Sequence, residues 1–472
     1  MKPTVAFAHT KKIINQKKNN LVLKEMLSSF HSLHHWSRAL YNLRALRKNT
    51  WLSSAELEKM QLKRLRNLLS YADENVRFYH QRFKQAKFNP KNMKSVEDLC
   101  NIPVLTKADV QKNFDSLVSR RADAEKCSKE VTSGSTGKPL TILTDKRSSY
   151  IMGANRLRHY VENGGRLFKD KYALLTVVRK PVKRTAFGSL LEHLGIFKKA
   201  KFSTQSPIEE VFKNLVEFGP DVIDSYPSFL ILLGRELEKR KKWISPRLMF
   251  GFGELIDDNS RKIINSAFGT EIFDTYGCVE AGDVAWECSE HIGYHINEDL
   301  IATEFVKDNE PVAAGESGEI VLTPLWNYAM PLIRYKIGDV GKPCDESCPC
   351  GRGLPLMKIL EGRFEDFIIL PNGKIISPLN NLTYFDNFEC VAEYRIIQER
   401  TDKLVLQVVL KEEYKENAFE KFKDNFINEF GEDVTIEIEV LDSMPRNGKF
   451  RRVVSKIVPR EEFILSSLTE EN

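Results

Sequence analysis

The chain has 472 residues, of which 42% are hydrophobic, 29% charged and 10% aromatic. That is the composition of a folded protein and excludes disordered, collagenous and low-complexity classes; at roughly 150 residues per domain the length corresponds to about three domains. Seventy-one Lys and Arg against 65 Asp and Glu leave a formal charge of +6, too mild an excess over so long a chain to demand a nucleic-acid partner.

Part of that excess lies at the start of the chain, where Lys2, Lys11, Lys12, Lys17, Lys18 and Lys24 face only Glu25. The run reads as a solvated tail or, more sharply, as a membrane-surface or partner contact. No apolar run is long enough for a secretory signal, and none approaches the roughly 18 residues of a membrane span, so the expected location is cytoplasmic. Without export, the eight cysteines read as thiols or metal ligands rather than a disulfide framework.

Apolar residues at three and four spacing (Leu21, Leu23, Met26, Leu27, Phe30, then Leu62, Leu65, Leu68, Leu69) predict helix over 20–85. His31, His34 and His35 fall on it without a carboxylate or cysteine beside them and read as a polar helical face. Between residues 99 and 330, short apolar or β-branched runs at Tyr172–Val178, Val222–Tyr226, Glu271–Tyr276 and Gly318–Thr323 alternate with helical patterns at Ile208–Phe218, Ser228–Lys239 and Asn259–Ala267. Alternation of this kind predicts an α/β architecture with helix-covered β-sheets. From Gly362 the pattern changes to strands at Ala392–Gln398, Leu404–Leu410 and Val434–Val440 around a helix at Tyr414–Phe430, which fits a small α+β domain. The division read from the sequence is a basic helical extension over 1–60, a large domain over 61–361 and a small C-terminal domain over 362–472.

Five segments carry chemistry. In Val131-Thr-Ser-Gly-Ser-Thr-Gly-Lys-Pro139 two glycines let backbone N–H groups approach an anion, hydroxyls add donors and Lys138 adds charge. It is a phosphate loop without Walker spacing, since two residues separate its glycines and Pro139 follows the lysine. Asp274-Thr-Tyr-Gly-Cys-Val-Glu280 offers an aromatic ring, a glycine and a carboxylate after a strand. Ile333-Arg-Tyr-Lys-Ile-Gly-Asp339, Gly362-Arg-Phe-Glu-Asp366 and Pro445-Arg-Asn-Gly-Lys-Phe-Arg-Arg452 are charged turns, each unremarkable alone.

In that order the five segments resemble those of the adenylate-forming superfamily of acyl-CoA synthetases. Tyr71-Ala-Asp-Glu-Asn-Val-Arg-Phe-Tyr79, Ile102-Pro-Val-Leu-Thr-Lys107 and Cys348-Pro-Cys-Gly-Arg352 resemble its phenylacetate-CoA ligase and CapK-like branch. The resemblance implies ATP-dependent activation of a carboxylic acid as an acyl-adenylate with release of pyrophosphate, then transfer to a thiol, either coenzyme A or a carrier protein. An adenylating or assembly protein of capsule biosynthesis with a non-CoA acceptor is the alternative. It further implies that Thr132, Ser133, Gly134, Ser135, Thr136, Gly137 and Lys138 hold the ATP phosphates and that Gly253, Glu254, Tyr276 and Gly277 line the nucleotide site, Tyr276 stacking on adenine. By the same resemblance Glu280 holds Mg²⁺, Asp339 and Arg363 hold the ribose, Glu365 or Asp366 is the hinge, and Lys449 bridges carboxylate and phosphate during adenylation.

Relatives in this branch carry a structural zinc, and Cys288, His295, Cys348 and Cys350 supply a four-ligand N/S set of the kind zinc takes, with His291 and Cys344 as substitutes. The segments Tyr226-Pro-Ser-Phe-Leu230 and Phe250-Gly-Phe-Gly-Glu254 line the acyl pocket by resemblance. Their aromatics favour an apolar or aromatic acid, or else serve the core.

Overall fold

The computed structural model describes residues 37–131, 140–177, 198–363, 368–372, 375–376, 390–411, 416–431, 433–445 and 452–457. The continuous helix expected over 20–85 is, within this range, three helices: α1 (37–49), α2 (Ser54–Asn75) and α3 (Arg77–Gln85). A capping box between Ser53 and Glu56 starts α2 afresh, and Val76, extended at φ −123°, separates α2 from α3. His31, His34 and His35 lie outside the described residues. The short helices α4 (Lys107–Lys112) and α5 (Phe114–Leu117) follow. An antiparallel hairpin of β1 (Ser128–Val131) and β2 (Thr141–Thr144) then leads into α6 (Lys146–Glu162).

The alternating region folds as the patterning predicts. It runs β3 (Tyr172–Thr176), β4 (Lys199–Ser203), α7 (Ile208–Phe218), β5 (Val222–Ser225), α8 (Pro227–Lys239), β6 (Leu248–Phe252), α9 (Asp258–Phe268) and β7 (Ile272–Cys278). Neighbouring strands pair in parallel in the order β4-β3-β5-β6-β7. Side chains alternate across a strand, so Ala173, Leu175, Ile223, Met249 and Ile272 pack under α7, α8 and α9, while Tyr172, Val222, Leu248, Phe250 and Phe273 face Tyr160 and Val161 of α6.

Beyond β7 the sheet becomes antiparallel through β8 (Gly282–Glu287), β9 (Tyr294–Ile296), β10 (Ile301–Lys307), β11 (Glu310–Pro311), β12 (Gly318–Pro324), β13 (Tyr335–Cys344) and β14 (Leu356–Arg363). The whole is one twelve-stranded sheet in the order β11-β10-β12-β13-β14-β9-β8-β7-β6-β5-β3-β4. β14 holds its pairing through Arg363, so Gly362 and Arg363 stay in this sheet. After a two-stranded piece, β15 (Ile368–Ile369) with β16 (Ile375–Ile376), comes a four-stranded sheet of β17 (Val391–Arg400), β18 (Lys403–Leu410), β19 (Thr435–Val440) and β20 (Val453–Ser455). It packs on α10 (Glu416–Phe430) through Phe422, Phe426 and Phe430, with an apolar core of its own.

One buried ion pair fixes α6. Arg158 and Asp299, both fully buried, meet at 2.9 Å, and Asn49 donates to the same carboxylate at 2.9 Å. Asp299→Ala leaves a buried guanidinium without its counter-charge, and denaturant unfolding is expected to show a loss of about 3–5 kcal/mol. The Arg158→Met, Asp299→Leu double variant, which removes both charges, is expected to lose less.

Candidate active site and metal centre

β7 ends at the seam where the sheet changes from parallel to antiparallel, and the second motif is laid across that seam. Tyr276 lies near the end of β7, and its hydroxyl donates to Asp339 Oδ2 at 2.7 Å. Asp339 comes from β13, where Gly338 at φ +84° occupies a backbone conformation that favours glycine and a register shift follows. Two motifs 63 residues apart are thus joined by one hydrogen bond. Glu280, in the turn after β7, accepts from the Tyr335 hydroxyl at 3.2 Å. Gly277 has no room for a side chain, since a Cβ there would lie 2.6 Å from the Gly282 carbonyl oxygen.

Arg363 stands opposite Asp339 in the β13–β14 register. Gly253 turns the chain after β6 at φ +78°, and Glu254 accepts from the backbone N–H and hydroxyl of Ser228 at 2.9 and 3.1 Å. Residues 132–138, Glu365, Asp366 and Lys449 lie outside the described residues; the mouth of the first loop is set by Val131 pairing with Thr141. Of the residues expected at the acyl pocket, Phe229, Leu230 and Phe250 are core residues. The Tyr226 and Phe252 rings meet at 4.8 Å, tilted by 47°, both only partly buried.

Beneath Tyr276 lies a buried acid that sequence reading missed. Burial, reinforced by the neighbouring Glu287 charge, raises the Asp274 carboxyl to about 7, against hydrogen bonds from Tyr294 and the Thr275 backbone that favour the carboxylate. The Tyr294 hydroxyl donates to it at 2.6 Å. The Asp in Phe273-Asp-Thr-Tyr276 could have been flagged, since strand residues flanking it read as buried.

The second constellation is the cluster of Cys288, His295, Cys348 and Cys350, whose ligand atoms all lie within 4.8 Å of one another. Cys288 Sγ and Cys348 Sγ are 3.6 Å apart, and Cys350 Sγ is 3.3 Å from His295 Nε2. Those are the edges of a small tetrahedron: four ligands at zinc distances of about 2.3 Å to sulfur put neighbouring sulfurs about 3.8 Å apart. His295 Nδ1 is 3.2 Å from the Leu354 carbonyl. A carbonyl only accepts, so the proton is on Nδ1 and the Nε2 lone pair faces the sulfurs, as a metal-binding imidazole requires. Burial lowers the His295 pKa to about 4, which keeps the ring neutral. The substitutes considered from the sequence are not in the cluster: His291 turns to Glu287 at 3.3 Å, and Cys344 Sγ lies 3.9 Å from the Lys342 carbonyl. The donor set fits zinc with four protein ligands and no open position.

Comparison with known proteins follows the same lines. Residues 368–456 match the family model described as the CapK C-terminal domain. Over 386 residues the chain is 27% identical to the phenylacetate-coenzyme A ligase of Thermus thermophilus, covering 77% of this chain and 83% of that one. It is 29% identical over 383 residues to the enzyme of the same name from Escherichia coli, with 76% and 83% covered. To Protein CapK of Staphylococcus aureus it is 24% identical over 427 residues, with 85% and 90% covered. Among solved structures, 2-hydroxyisobutyryl-CoA ligase in the postadenylation state superposes with a TM-score of 0.71 at 22% identity, covering 90% of this chain and 94% of that one. The fold is therefore that of the adenylate-forming CoA ligases. With that fold the chain is similar in sequence to the phenylacetate-CoA ligases and to CapK, as its motifs led one to expect.

The raised Asp274 pKa has a consequence for stability. An acid that holds its proton more tightly folded than unfolded contributes stability that is complete at low pH and is lost as pH rises from the ordinary 3.8 towards about 7. Asp274→Asn removes the titration; its amide oxygen accepts from the Thr275 N–H, and its NH2 donates to the Tyr294 hydroxyl with that bond reversed. Melting temperatures between pH 5 and 7.5 are expected to fall less steeply with pH in this variant than in the parent.

Proposed function

We propose that this chain is an acid–thiol ligase that forms AMP. It joins a small carboxylic acid to ATP as an acyl-adenylate, releasing pyrophosphate, and then passes the acyl group to a thiol, coenzyme A in the first reading. The observation that carries this is the Tyr276–Asp339 hydrogen bond: a ring positioned for a base and a carboxylate positioned for a ribose stand together at the seam of a sheet with the CoA ligase fold, in a relative of phenylacetate-CoA ligases.

In the first step a substrate carboxylate oxygen attacks the α-phosphorus and pyrophosphate leaves. Bringing an anion to a triphosphate needs positioning and counter-charge. Residues 132–138 would supply loop amides, hydroxyls and Lys138; Glu280 would hold Mg²⁺, which would neutralise phosphate charge; Asp339 and Arg363 would fix the ribose, and Gly253, Glu254 and Gly277 would shape the nucleotide site. Lys449 would supply the cation between the two anions. In the second step a thiol sulfur attacks the acyl carbon, its proton is lost and AMP leaves, with no phosphorus under attack and no task for Lys449.

A small domain beginning near residues 362–366 and turning about Glu365 or Asp366 accounts for that difference. Among the described residues, the ion pairs Arg452–Asp257 at 3.3 Å and Arg235–Glu393 at 3.9 Å join it to the helices of the large sheet. Part-exposed pairs of this kind are worth about 1 kcal/mol or less, so these two alone do not lock it. The CapK match over 368–456 favours a second reading in which the same adenylate goes to a non-CoA acceptor; a panel of CoA, carrier protein and hydroxyl acceptors separates the two.

Zinc in the Cys288, His295, Cys348 and Cys350 cluster is structural in this reading. The cluster is walled by Leu57, Trp286, Leu354 and Leu356, and the Gly353 backbone N–H donates to the Thr50 carbonyl at 3.0 Å. The metal would staple the β13–β14 loop to β9 and so to the start of α2. Among the described residues no helix is long and apolar enough to cross a membrane.

Two outcomes are expected. Lys449→Ala loses acid-dependent pyrophosphate exchange by on the order of 10²-fold or more, as when other groups that stabilise transition-state charge are removed, yet converts supplied acyl-adenylate to thioester at a normal rate; a defect confined to the second half-reaction would refute the assignment. Metal analysis of protein purified without chelators finds one zinc per chain, and Cys348→Ser abolishes it and lowers the melting temperature, because metal binding and folding are coupled.

A further inference from the structure

In the parallel part of the sheet the chain moves one way from β3 to β4 and the other way from β3 to β5, β6 and β7. The crevice at the carboxyl ends of strands where the order reverses is where α/β sheets bind ligands. Here that point lies between β3 and β5, where Thr176 Oγ1 and the Tyr226 hydroxyl meet at 3.3 Å. Immediately below it, on the face covered by α6, strand alternation would put apolar side chains against the helix. Instead Asp224 stands there, two residues before Tyr226, and the Tyr172 hydroxyl donates to it at 2.5 Å.

Other polar groups converge on the same place. Lys199 Nζ lies 4.8 Å from the centre of the Tyr172 ring. Arg156 of α6 faces Asp283 at 3.7 Å, and its side chain remains 66% exposed. Asp283 pairs across β7–β8 with Gly277, next to Tyr276, so this cleft adjoins the nucleotide residues. His159 is 5% exposed, and its Nδ1 has no hydrogen-bond partner and lies 3.9 Å from Asp283 Oδ2. Crowding by the surrounding protein raises Asp224 to about 6 and lowers Lys199 to about 8 and His159 to about 4, while Lys199 stays exposed, so the cleft is enclosed by protein but open to solvent.

We propose that the acid activated by this chain carries hydroxyl groups at the end remote from its carboxylate, received in the cleft formed by Arg156, His159, Tyr172, Lys199, Asp224 and Asp283. The inference rests on the adenylating function proposed above and replaces the apolar or aromatic acid read from Tyr226 and Phe252. The cleft offers carboxylate acceptors and cationic donors side by side. A hydroxyl donates to Asp224 and accepts from Arg156 or Lys199, and so satisfies both. A second carboxylate would meet the donors and be repelled by Asp224 and Asp283, an ammonium would do the reverse, and an unsubstituted chain or ring would cover both sets while offering neither a partner in place of water. A site built to hydrogen-bond a substrate hydroxyl rejects the analogue lacking it strongly, because its buried polar groups lose their partners.

The test uses the full chain in acid-dependent pyrophosphate exchange with acids matched in length: hexanoate, 6-hydroxyhexanoate, a polyhydroxylated hexanoate, adipate and 6-aminohexanoate, with phenylacetate and 4-hydroxyphenylacetate as the aromatic pair. The hydroxylated acids are expected to exceed their unsubstituted partners in kcat/KM by about 10²-fold or more. Asp224→Leu, and separately the milder Arg156→Gln, are expected to shrink that ratio towards unity. A preference for hexanoate, phenylacetate, adipate or 6-aminohexanoate, or a hydroxyl preference that survives both variants in folded protein, overturns the inference while leaving adenylation intact. Exchange with none of the acids overturns the adenylating reading itself.

Discussion

The position of α6 governs both halves of the site, and α6 is held by a charge it could not bury alone. Arg158 reaches Asp299 in the turn before β10, and Asn155 binds both the Arg158 guanidinium and the Asp283 carbonyl, at 2.9 and 2.6 Å. Asn297 donates to the same carbonyl at 2.9 Å. Helix, β8 and the turn at 297–299 are therefore one hydrogen-bonded body. Because removing one member leaves a charge or amide buried without a partner, the arrangement is fixed far more tightly than apolar packing would fix it. The helix that follows the β1–β2 hairpin is thus held against the sheet, packed through Tyr160 and Val161, with the polar residues Arg156 and His159 in the turn before them.

The mixed sheet explains why so few residues define the site. Its parallel part has strand ends and a reversal of strand order, its antiparallel part carries Asp339 on β13 opposite Arg363 on β14, and the two meet at β7 and β8. Tyr276 sits at that junction and reaches Asp339 across it. The Cys and His cluster tightens the antiparallel side from behind: Arg352, next to it, lies over the rings of Trp51 and Trp286 at 5.2 and 5.4 Å and donates to the Glu162 carbonyl at the end of α6.

Much of this was legible in the sequence, for a physical reason. Ile208–Phe218 and the strands around it show periodicity because each buries one face, and burial is what periodicity records. The Cys348-x-Cys350 spacing spoke for a metal centre, and the sequence reading put His295 in it with His291 as a substitute. That choice depends on β9, which turns His295 inward, and on Arg261 and Glu287, which occupy His291. The polar cleft was not legible at all. Arg156 and Arg158 are two residues apart on one helix, and only the packing decides that Arg158 is sealed in the core while Arg156 opens on the cleft. Asp224, in Val222-Ile-Asp-Ser225, reads as the polar side of an ordinary strand until a helix is laid against it.

The N-terminal helices depend on partners that are made late. Leu65, Leu68 and Leu69 of α2 share a core with Leu325, Met330 and Leu332, and the Tyr79 hydroxyl donates to the Pro331 carbonyl, 252 residues downstream. At synthesis rates of roughly 5–20 residues per second, that separation corresponds to roughly 10–50 s on the ribosome. Throughout that interval the face is covered only by its nearer partners, Met93, Leu99, Ile102 and Leu105 among them, so this part of the core stays incomplete until the chain beyond Leu332 has left the ribosome.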